Sequence, residues 1–221
     1  VFVAFQWEEE TQATALHLSG PPSKKANTPD DKSRSGDSGS QTKRKSPNFY
    51  ALGKSAFEQG NYPAAIEYFE NAIKAGGCPD DVLMLLGRSL TKRERYSEAI
   101  YYFKKFAKLH PKDVEPIAAA GTAYYLQALI DRPPIKDFFD LAKKEYSAAL
   151  ALDPGNLEAL LGLGYIYMEE KDYHRAETAL ENARMFQPKN ERVHRALYKL
   201  YSQTGDEAKR DAELEFLGER R

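Results

Sequence analysis

Residues 157–190 have the sequence LEALLGLGYIYMEEKDYHRAETALENARMFQPKN, and this stretch decides the fold. Apolar and small side chains cluster around Leu160 and Gly164, and they do so again around Ala176 and Leu180. Spacings of about three and four residues place such side chains on one face of a helix. A proline follows the second cluster, where it can no longer disturb a helix. The stretch therefore predicts two helices joined by a short turn.

The same pattern recurs along the chain. Glycines stand at positions 53, 87, 121 and 164, so the steps between them are 34, 34 and 43 residues. Two further series share steps of 34, 43 and 34 residues, namely Tyr62, Tyr96, Phe139 and Tyr173, and Ala65, Ala99, Ala142 and Ala176. Repetition at a period of roughly 20 to 50 residues indicates stacked structural units, each of which completes the core of its neighbour.

The order of residues within each unit resembles the tetratricopeptide repeat. In the second unit, for example, Leu86-Gly87 is followed by Ala99-x-x-x-Phe103 and then by a proline at position 111. The resemblance implies an all-α fold, a right-handed superhelix of antiparallel helix pairs, and it implies that the chain binds another protein. Glycine inside a helix costs about 1 kcal/mol relative to alanine, which is tolerable where two backbones approach closely.

The resemblance implies four full repeats and a degenerate capping repeat, which together cover nearly everything after residue 47. Their approximate bounds are 48–79, 80–113, 114–156, 157–190 and 191–221. Phe106 stands where the family has a small alanine, so the packing there is expected to differ. After Tyr198 the pattern degrades, and a solvent-facing capping helix is expected, with an apolar stripe of Ala208, Ala212, Leu214 and Leu217.

The first 47 residues differ in composition from the repeats. Residues 1–18 are β-prone, which suggests either the remnant of an upstream domain or a tail that docks elsewhere. Residues 19–47 contain no apolar side chain larger than alanine and predict a disordered linker. Because the chain starts at Val1 without a methionine, we expect it to be part of a longer protein, and an upstream targeting signal stays compatible with the sequence.

Composition disfavours several classes of protein. The 32 basic and 33 acidic side chains give a net charge of -1, so no overall field attracts nucleic acid. No segment approaches the roughly 18 apolar residues of a membrane-spanning helix. The single cysteine, Cys78, excludes an internal disulfide and a multi-cysteine zinc site, and it favours the cytoplasm.

No pattern in the sequence indicates catalysis. Gly53-Lys54-Ser55 matches only the end of a phosphate-binding loop, and its glycine already belongs to the repeat. The four histidines show neither metal-ligand spacing nor a neighbouring nucleophile. We therefore expect a protein that is not an enzyme, with no cofactor and no metal.

In the first helix of each repeat, one face is formed by residues expected in the core, and a neighbouring face is left free. In the first repeat the core face consists of Phe49, Leu52, Gly53 and Ala56. By the geometry of the family this second face lines a concave groove that holds an extended peptide or an amphipathic helix. The alternative is that the next repeat or the N-terminal tail covers it. The groove residues are Tyr50, Lys54, Phe57, Met84, Arg88, Tyr125, Leu161, Tyr165, Met168, Arg195 and Lys199.

Further expectations concern the partner. Basic residues on the last of these helices suit an acidic end of the ligand, and residues 1–7 are themselves a candidate occupant of the groove. The extra residues of the third repeat form either a docking loop, with Ile130, Pro133, Pro134 and Ile135, or one more turn on each helix. Glu115 and Ala119 occupy positions where repeats that grip heat-shock chaperones carry Lys and Arg, so that partner is not expected.

The sequence leaves three functions open. The first is an adaptor or scaffold of bacterial style that recruits a protein through the groove. The second is a structural subunit of a multiprotein assembly, or a solenoid that associates with itself. The third is an accessory domain of a larger protein whose upstream part is missing here. The fold alone does not choose among them.

Overall fold

The computed structural model describes residues 48–130 and 134–218. Predictions about residues 1–47 and Pro133 lie outside the described residues. The described residues form α-helices and no strand. The helices are α1 Phe49–Glu58, α2 Tyr62–Ala75, α3 Asp81–Lys92, α4 Tyr96–Leu109, α5 Val114–Ile130, α6 Lys136–Leu152, α7 Leu157–Glu169, α8 Tyr173–Phe186, α9 Glu191–Thr204 and α10 Glu207–Phe216.

Consecutive helices pack in antiparallel pairs, from α1 with α2 to α9 with α10, and each second helix packs on the first helix of the next pair. Asparagine or aspartate side chains cap several N-termini: the Ala64, Ala159 and Arg175 amides donate to the Oδ1 atoms of Asn61, Asn156 and Asp172. The chain is thus an all-α solenoid of helix pairs, as the sequence predicts.

The repeated glycines mark points where a ring or a branched side chain lies directly on a helix backbone. A Cβ atom added to Gly87 would lie 2.5 Å from Phe103 Cε1, and one added to Gly121 would lie 2.8 Å from Tyr146 Cδ1. Gly53 meets Phe69 and Gly164 meets Leu180 in the same way. Each pair of helices therefore has one such contact, and the contact recurs along the chain at intervals of 34 or 43 residues.

The third pair contains the extra residues of its repeat mainly as helix. Its two helices, α5 and α6, have 17 residues each, whereas the other helices have between 10 and 14. The interpretation of one more turn on each helix is therefore confirmed. The connection between them is residues 131–135, and the Ile135 amide donates to the Ala128 carbonyl at 3.1 Å.

One sequence-based expectation about buried faces is wrong, and another is met only in part. The sequence places Leu52 in the core, but it is 42% exposed, because α1 begins the described solenoid and no described helix precedes it. In the expected apolar stripe of α10, Leu214 and Leu217 are half-buried, whereas Ala208 and Ala212 are exposed and the buried residue is Glu213. Its carboxylate lies 2.5 Å from His194 Nδ1 and 3.3 Å from Arg184 Nη1, so α10 is held by a polar contact.

Candidate functional site

A cavity of about 610 Å³ opens among the first helices of four consecutive pairs. Here we call it the central cavity. Most of its lining side chains are apolar or small, and charged ones stand among them. The lining residues are Phe57 from α1, Arg88, Thr91 and Lys92 from α3, Phe103 from α4, Val114, Glu115, Ala118, Ala119 and Thr122 from α5, and Asn156 and Glu158 around the start of α7.

The position of the cavity follows from the helix packing. Direct packing joins α1 to α3, α5 to α7 and α7 to α9, whereas α3 and α5 approach each other less closely. The repeat that contains α3 carries Phe106 where the equivalent positions hold Ala72, Ala149 and Ala183. Phe106 is buried in the core cluster that side chains of α1 to α5 form. A phenyl ring needs more room than a methyl group, so the side chains around it pack differently from those of the other repeats.

Two ion pairs between helices border the cavity. Arg88 of α3 pairs with Glu115 of α5, and Arg192 of α9 holds Glu158 of α7 with two nitrogens, Nη2 lying 3.0 Å from Oε2. The hydrogen bonds to Glu158 raise the pKa of the Arg192 guanidinium. All four side chains are about half exposed, so each pair contributes roughly 0 to 1 kcal/mol and can be exchanged for a ligand contact.

Beyond the cavity, aromatic rings continue along the first helices. The rings of Tyr125 on α5 and Tyr165 on α7 stack with their centroids 6.5 Å apart, and Lys199 Nζ of α9 lies 5.6 Å from the Tyr165 centroid. Burial, followed by the nearby carboxylate of Glu169, raises the pKa of Tyr125 to about 12. Both rings are partly exposed, so they can offer a flat face to a ligand while their inner edges are packed.

At the other end, α1 carries two more of the residues assigned to the groove. The Tyr50 hydroxyl donates to Asp81 Oδ2 at 2.5 Å, and Lys54 Nζ lies 5.7 Å from the Tyr50 centroid. The hydrogen bond joins α1 to the start of α3. Tyr50 is therefore fixed in orientation, and its partly exposed ring extends the apolar lining that begins with Phe57.

The structure divides the predicted groove residues into two groups. Met84, Leu161 and Met168 are only 7%, 1% and 3% exposed, because they pack in the core clusters that join neighbouring pairs. Their side chains are too buried to contact a ligand, and they belong to the core on which the exposed groove residues pack. The predicted residues with partly or fully exposed side chains are Tyr50, Lys54, Phe57, Arg88, Tyr125, Tyr165, Arg195 and Lys199.

The predicted docking loop is only partly described. Ile130 is 55% exposed at the end of α5, Pro134 is exposed, and Ile135 is half-buried. Its backbone amide bonds to α5, so Ile135 closes the connection between α5 and α6. An exposed isoleucine by itself does not define a binding site.

Sequence reasoning missed several residues at the cavity. Lys92 lies four positions after Arg88 and therefore on the same face of α3, so the sequence could have indicated it as a groove residue. Glu158 and Arg192 occupy the same position of consecutive repeats with opposite charges, which also could have indicated their pairing. Asn156 caps α7, because its Oδ1 accepts a hydrogen bond from the Ala159 amide, and it also lines the cavity.

Two kinds of site are absent from the described residues. Residues 48–130 and 134–218 contain no group of three or more histidine, cysteine, aspartate or glutamate side chains placed to hold a metal ion. In the same residues no helix has the length and apolar character needed to cross a membrane.

Comparison with known proteins identifies the repeats. Two family profiles, both described as tetratricopeptide repeat, match residues 50–114 and 139–200. The stretch between the matches contains all of α5 except Val114, and the first three residues of α6. Among curated proteins, the protein O-mannosyl-transferase Tmtc3 of Drosophila melanogaster is 25% identical over 149 residues, which are 67% of this chain and 15% of that protein. The chain thus spans about 15% of the length of this relative.

Solved structures with the same architecture are more distant in sequence. A thermophilic TPR protein of Thermus thermophilus superposes with a TM-score of 0.62 at 23% identity, over 75% of this chain and 86% of that one. MamA gives 0.58 at 21% identity, over 77% and 87%. A tetratricopeptide repeat protein of Parabacteroides merdae gives 0.60 at 17% identity, over 76% and 64%. These similarities concern the fold.

Proposed function

The chain belongs to the tetratricopeptide-repeat family, and from this premise we propose that it is a non-catalytic adaptor that holds a segment of another polypeptide in its concave groove. Folds of this family serve in general as protein-interaction scaffolds. The observation that carries the proposal is the central cavity, which is largely apolar in its lining and open to solvent. The partner segment is an extended peptide or an amphipathic helix.

The size and lining of the cavity support a polypeptide ligand. A volume of about 610 Å³ accommodates a few side chains, and pockets of roughly 300 to 1,000 Å³ are typical of specific binding sites. Phe57 and Val114 offer apolar contacts, and exposed charges surround them. An apolar centre with a polar rim is the usual composition of a protein interface.

The proposed contact residues extend from both sides of the cavity. On α1 and α3 they are Tyr50, Lys54, Phe57, Arg88 and Lys92, and on the later helices they are Tyr125, Tyr165, Arg195 and Lys199. Tyrosine and arginine are enriched among the residues that dominate binding energy. The proposal excludes the acidic C-terminal peptide of heat-shock chaperones, because Glu115 and Ala119 line the cavity where that ligand requires basic side chains.

The direct test is photo-cross-linking in the source cell. Thr91 lines the cavity, whereas Lys105 is exposed on the second helix of the same pair and serves as the control. With a benzophenone amino acid at either position, we expect ultraviolet light to attach a polypeptide at position 91 and none at position 105. If adducts form at position 105 alone, or at neither position, the groove is not the binding site.

A second candidate function has one observation in its favour. The match to Tmtc3 covers 67% of this chain but only 15% of that protein, so a region similar to these repeats is a small part of a larger protein there. This chain would then be the accessory, partner-binding domain of a larger protein. Sequencing of the intact reading frame distinguishes the two candidates: further domains favour the accessory role, and an isolated repeat domain favours the adaptor.

A further inference from the structure

We infer that the attachment of α10 to the rest of the solenoid requires a proton shared by His194 and Glu213, so that α10 loosens as the pH rises through the neutral range. This property belongs to the last helix of the described solenoid, and neither residue lines the central cavity. It is therefore independent of the proposed function. It follows from the hydrogen bonds of one buried histidine and from the charged groups around it.

His194 contacts a polar atom through each of its ring nitrogens. Its Nε2 atom lies 2.9 Å from the carbonyl oxygen of Pro188, in the turn between α8 and α9, and its Nδ1 atom lies 2.5 Å from Oε2 of Glu213 on α10. The side chains of His194 and Glu213 are only 7% and 5% exposed. Water therefore has little access to replace either contact.

The two contacts together need two hydrogens. A carbonyl oxygen can only accept, so Nε2 must carry a hydrogen to bond to Pro188. Nδ1 and Oε2 also need a hydrogen between them, because two lone pairs only 2.5 Å apart would repel each other. A neutral imidazole has a single ring hydrogen. Wherever the second hydrogen lies, the pair thus holds one proton more than a neutral His194 and an ionised Glu213.

Charged and titratable groups of three helices surround the pair. Where α8, α9 and α10 meet they include His174, Glu177, Glu181, Arg184, Tyr198, Tyr201, Asp206, Lys209 and Arg210. Arg184 contacts Glu213 directly, with Nη1 3.3 Å from Oε1, and it stays charged at every accessible pH. Of these surrounding groups only His174 is of a type that changes charge near neutral pH, and it lines a pocket that neither His194 nor Glu213 lines.

Loss of the proton removes one of the two contacts of His194. A neutral ring with its hydrogen on Nε2 keeps the bond to Pro188 but turns a lone pair towards the Glu213 carboxylate. A neutral ring with its hydrogen on Nδ1 keeps Glu213 and loses Pro188. In both cases a buried polar group is left without a partner, which is unfavourable. Because attached α10 requires this proton and released α10 does not, a rise in pH shifts the equilibrium towards release.

Hydrogen exchange of the full chain tests this dependence. Protection of residues 207–216, corrected for the intrinsic effect of pH on exchange, is measured by mass spectrometry between about pH 6 and about pH 9. We expect protection to fall at least about tenfold over this range, while that of α4 stays constant. The ring nitrogen NMR signals of His194, assigned with His194→Gln, should change at the same pH. Constant protection of residues 207–216 would overturn the inference.

Glu213→Gln separates the proton from the packing. A glutamine amide can donate to Nδ1 of a neutral His194, so attachment no longer requires the extra proton. We expect protection in this variant to change less than about twofold over the same range. The controls are Glu215→Gln, at an exposed position of the same helix, and His174→Gln, and both should keep the tenfold fall expected of the parent.

Two results with the variants would contradict the inference. One is a fall in Glu213→Gln as large as in the parent, and the other is a loss of the fall in His174→Gln. If Glu213→Gln leaves α10 unprotected at every pH, the parent chain still decides the question. Coincident changes in its His194 signals and in the protection of α10 support the inference, and changes at different pH values overturn it.

Discussion

At the residue scale, the contacts beneath the repeated glycines explain why the period is so clear in the sequence. Gly87 has no room for a side chain, because an added Cβ would lie 2.5 Å from Phe103 Cε1 and 2.8 Å from Cδ1. Phe103 is 2% exposed, and its ring packs on Gly87 as well as lining the central cavity. The same relation holds for Gly53 with Phe69. Glycine at this position lowers the stability of the single helix, but the close packing of the two helices of the repeat requires it.

Gly87→Ala is expected to destabilise the fold by about 1 to 3 kcal/mol, since strain from overpacking outweighs the gain of up to about 1 kcal/mol in helix propensity. Urea unfolding followed by circular dichroism measures the change in the free energy of unfolding. In the double variant Gly87→Ala/Phe103→Leu the smaller side chain should relieve part of the strain. A Gly87→Ala protein as stable as the parent would contradict the close-contact explanation.

Tyr125 gives a prediction about pH. Burial, followed by the Glu169 carboxylate, raises its pKa to about 12, above the value of about 10 expected in the unfolded chain. Because the folded pKa is raised, Tyr125 contributes stability that is fully present below pH about 10 and is lost as the pH rises towards about 12. Carbon NMR of the labelled ring, with Tyr125→Phe for assignment, measures the titration. A midpoint near 10 in the folded protein would contradict it.

At the scale of elements, α10 combines a buried polar contact with the half-buried Leu214 and Leu217 of the apolar stripe that the sequence suggests. Glu213 is buried between His194, whose Nδ1 lies 2.5 Å away, and Arg184, whose Nη1 lies 3.3 Å away. His194 Nε2 lies 2.9 Å from the Pro188 carbonyl oxygen, and its ring stacks on Phe216 with the centroids 3.5 Å apart. One buried carboxylate of α10 thus contacts side chains of both preceding helices, α8 and α9.

Glu213→Leu should destabilise α10 by about 3 kcal/mol, because it leaves two polar side chains without their buried partner. Hydrogen exchange detected by mass spectrometry should show faster exchange in residues 207–216, with little change in α1 to α4. The matched control is Glu215→Leu, which makes the same change at an exposed position of the same helix. Equal effects of the two substitutions would show that the buried contact does not hold α10.

At the scale of the whole molecule, the solenoid was predictable from sequence because its packing contacts repeat. Gly53, Gly87, Gly121 and Gly164 and the side chains that cover them recur with fixed steps, and so do the buried alanines of the second helices. The sequence does not decide whether the extra residues of the third repeat lengthen the loop or the two helices, because the number of residues is the same in both cases.

The groove was less predictable than the fold. A first helix in the middle of a solenoid is covered by its own partner and by the pairs before and after it. Leu161 and Met168 therefore lie against neighbouring helices although periodicity places them on a second face. The cavity lies where α3 and α5 approach each other less closely than the other neighbouring first helices do, and the pattern of helical faces in the sequence does not predict that distance. The pairing of Arg192 with Glu158 depends in the same way on how closely α9 approaches α7.

The most direct test of the central claim, that a polypeptide segment binds in the central cavity, is a calorimetric titration of the polypeptide segment that cross-links at position 91 into two variants. Ala119→Trp fills the cavity, and Ala208→Trp adds the same ring to an exposed position of α10. We predict that Ala119→Trp weakens binding at least about a hundredfold, which corresponds to about 2.7 kcal/mol, while Ala208→Trp binds like the parent. Equal affinity of both variants, with both folded as judged by circular dichroism, would contradict the claim.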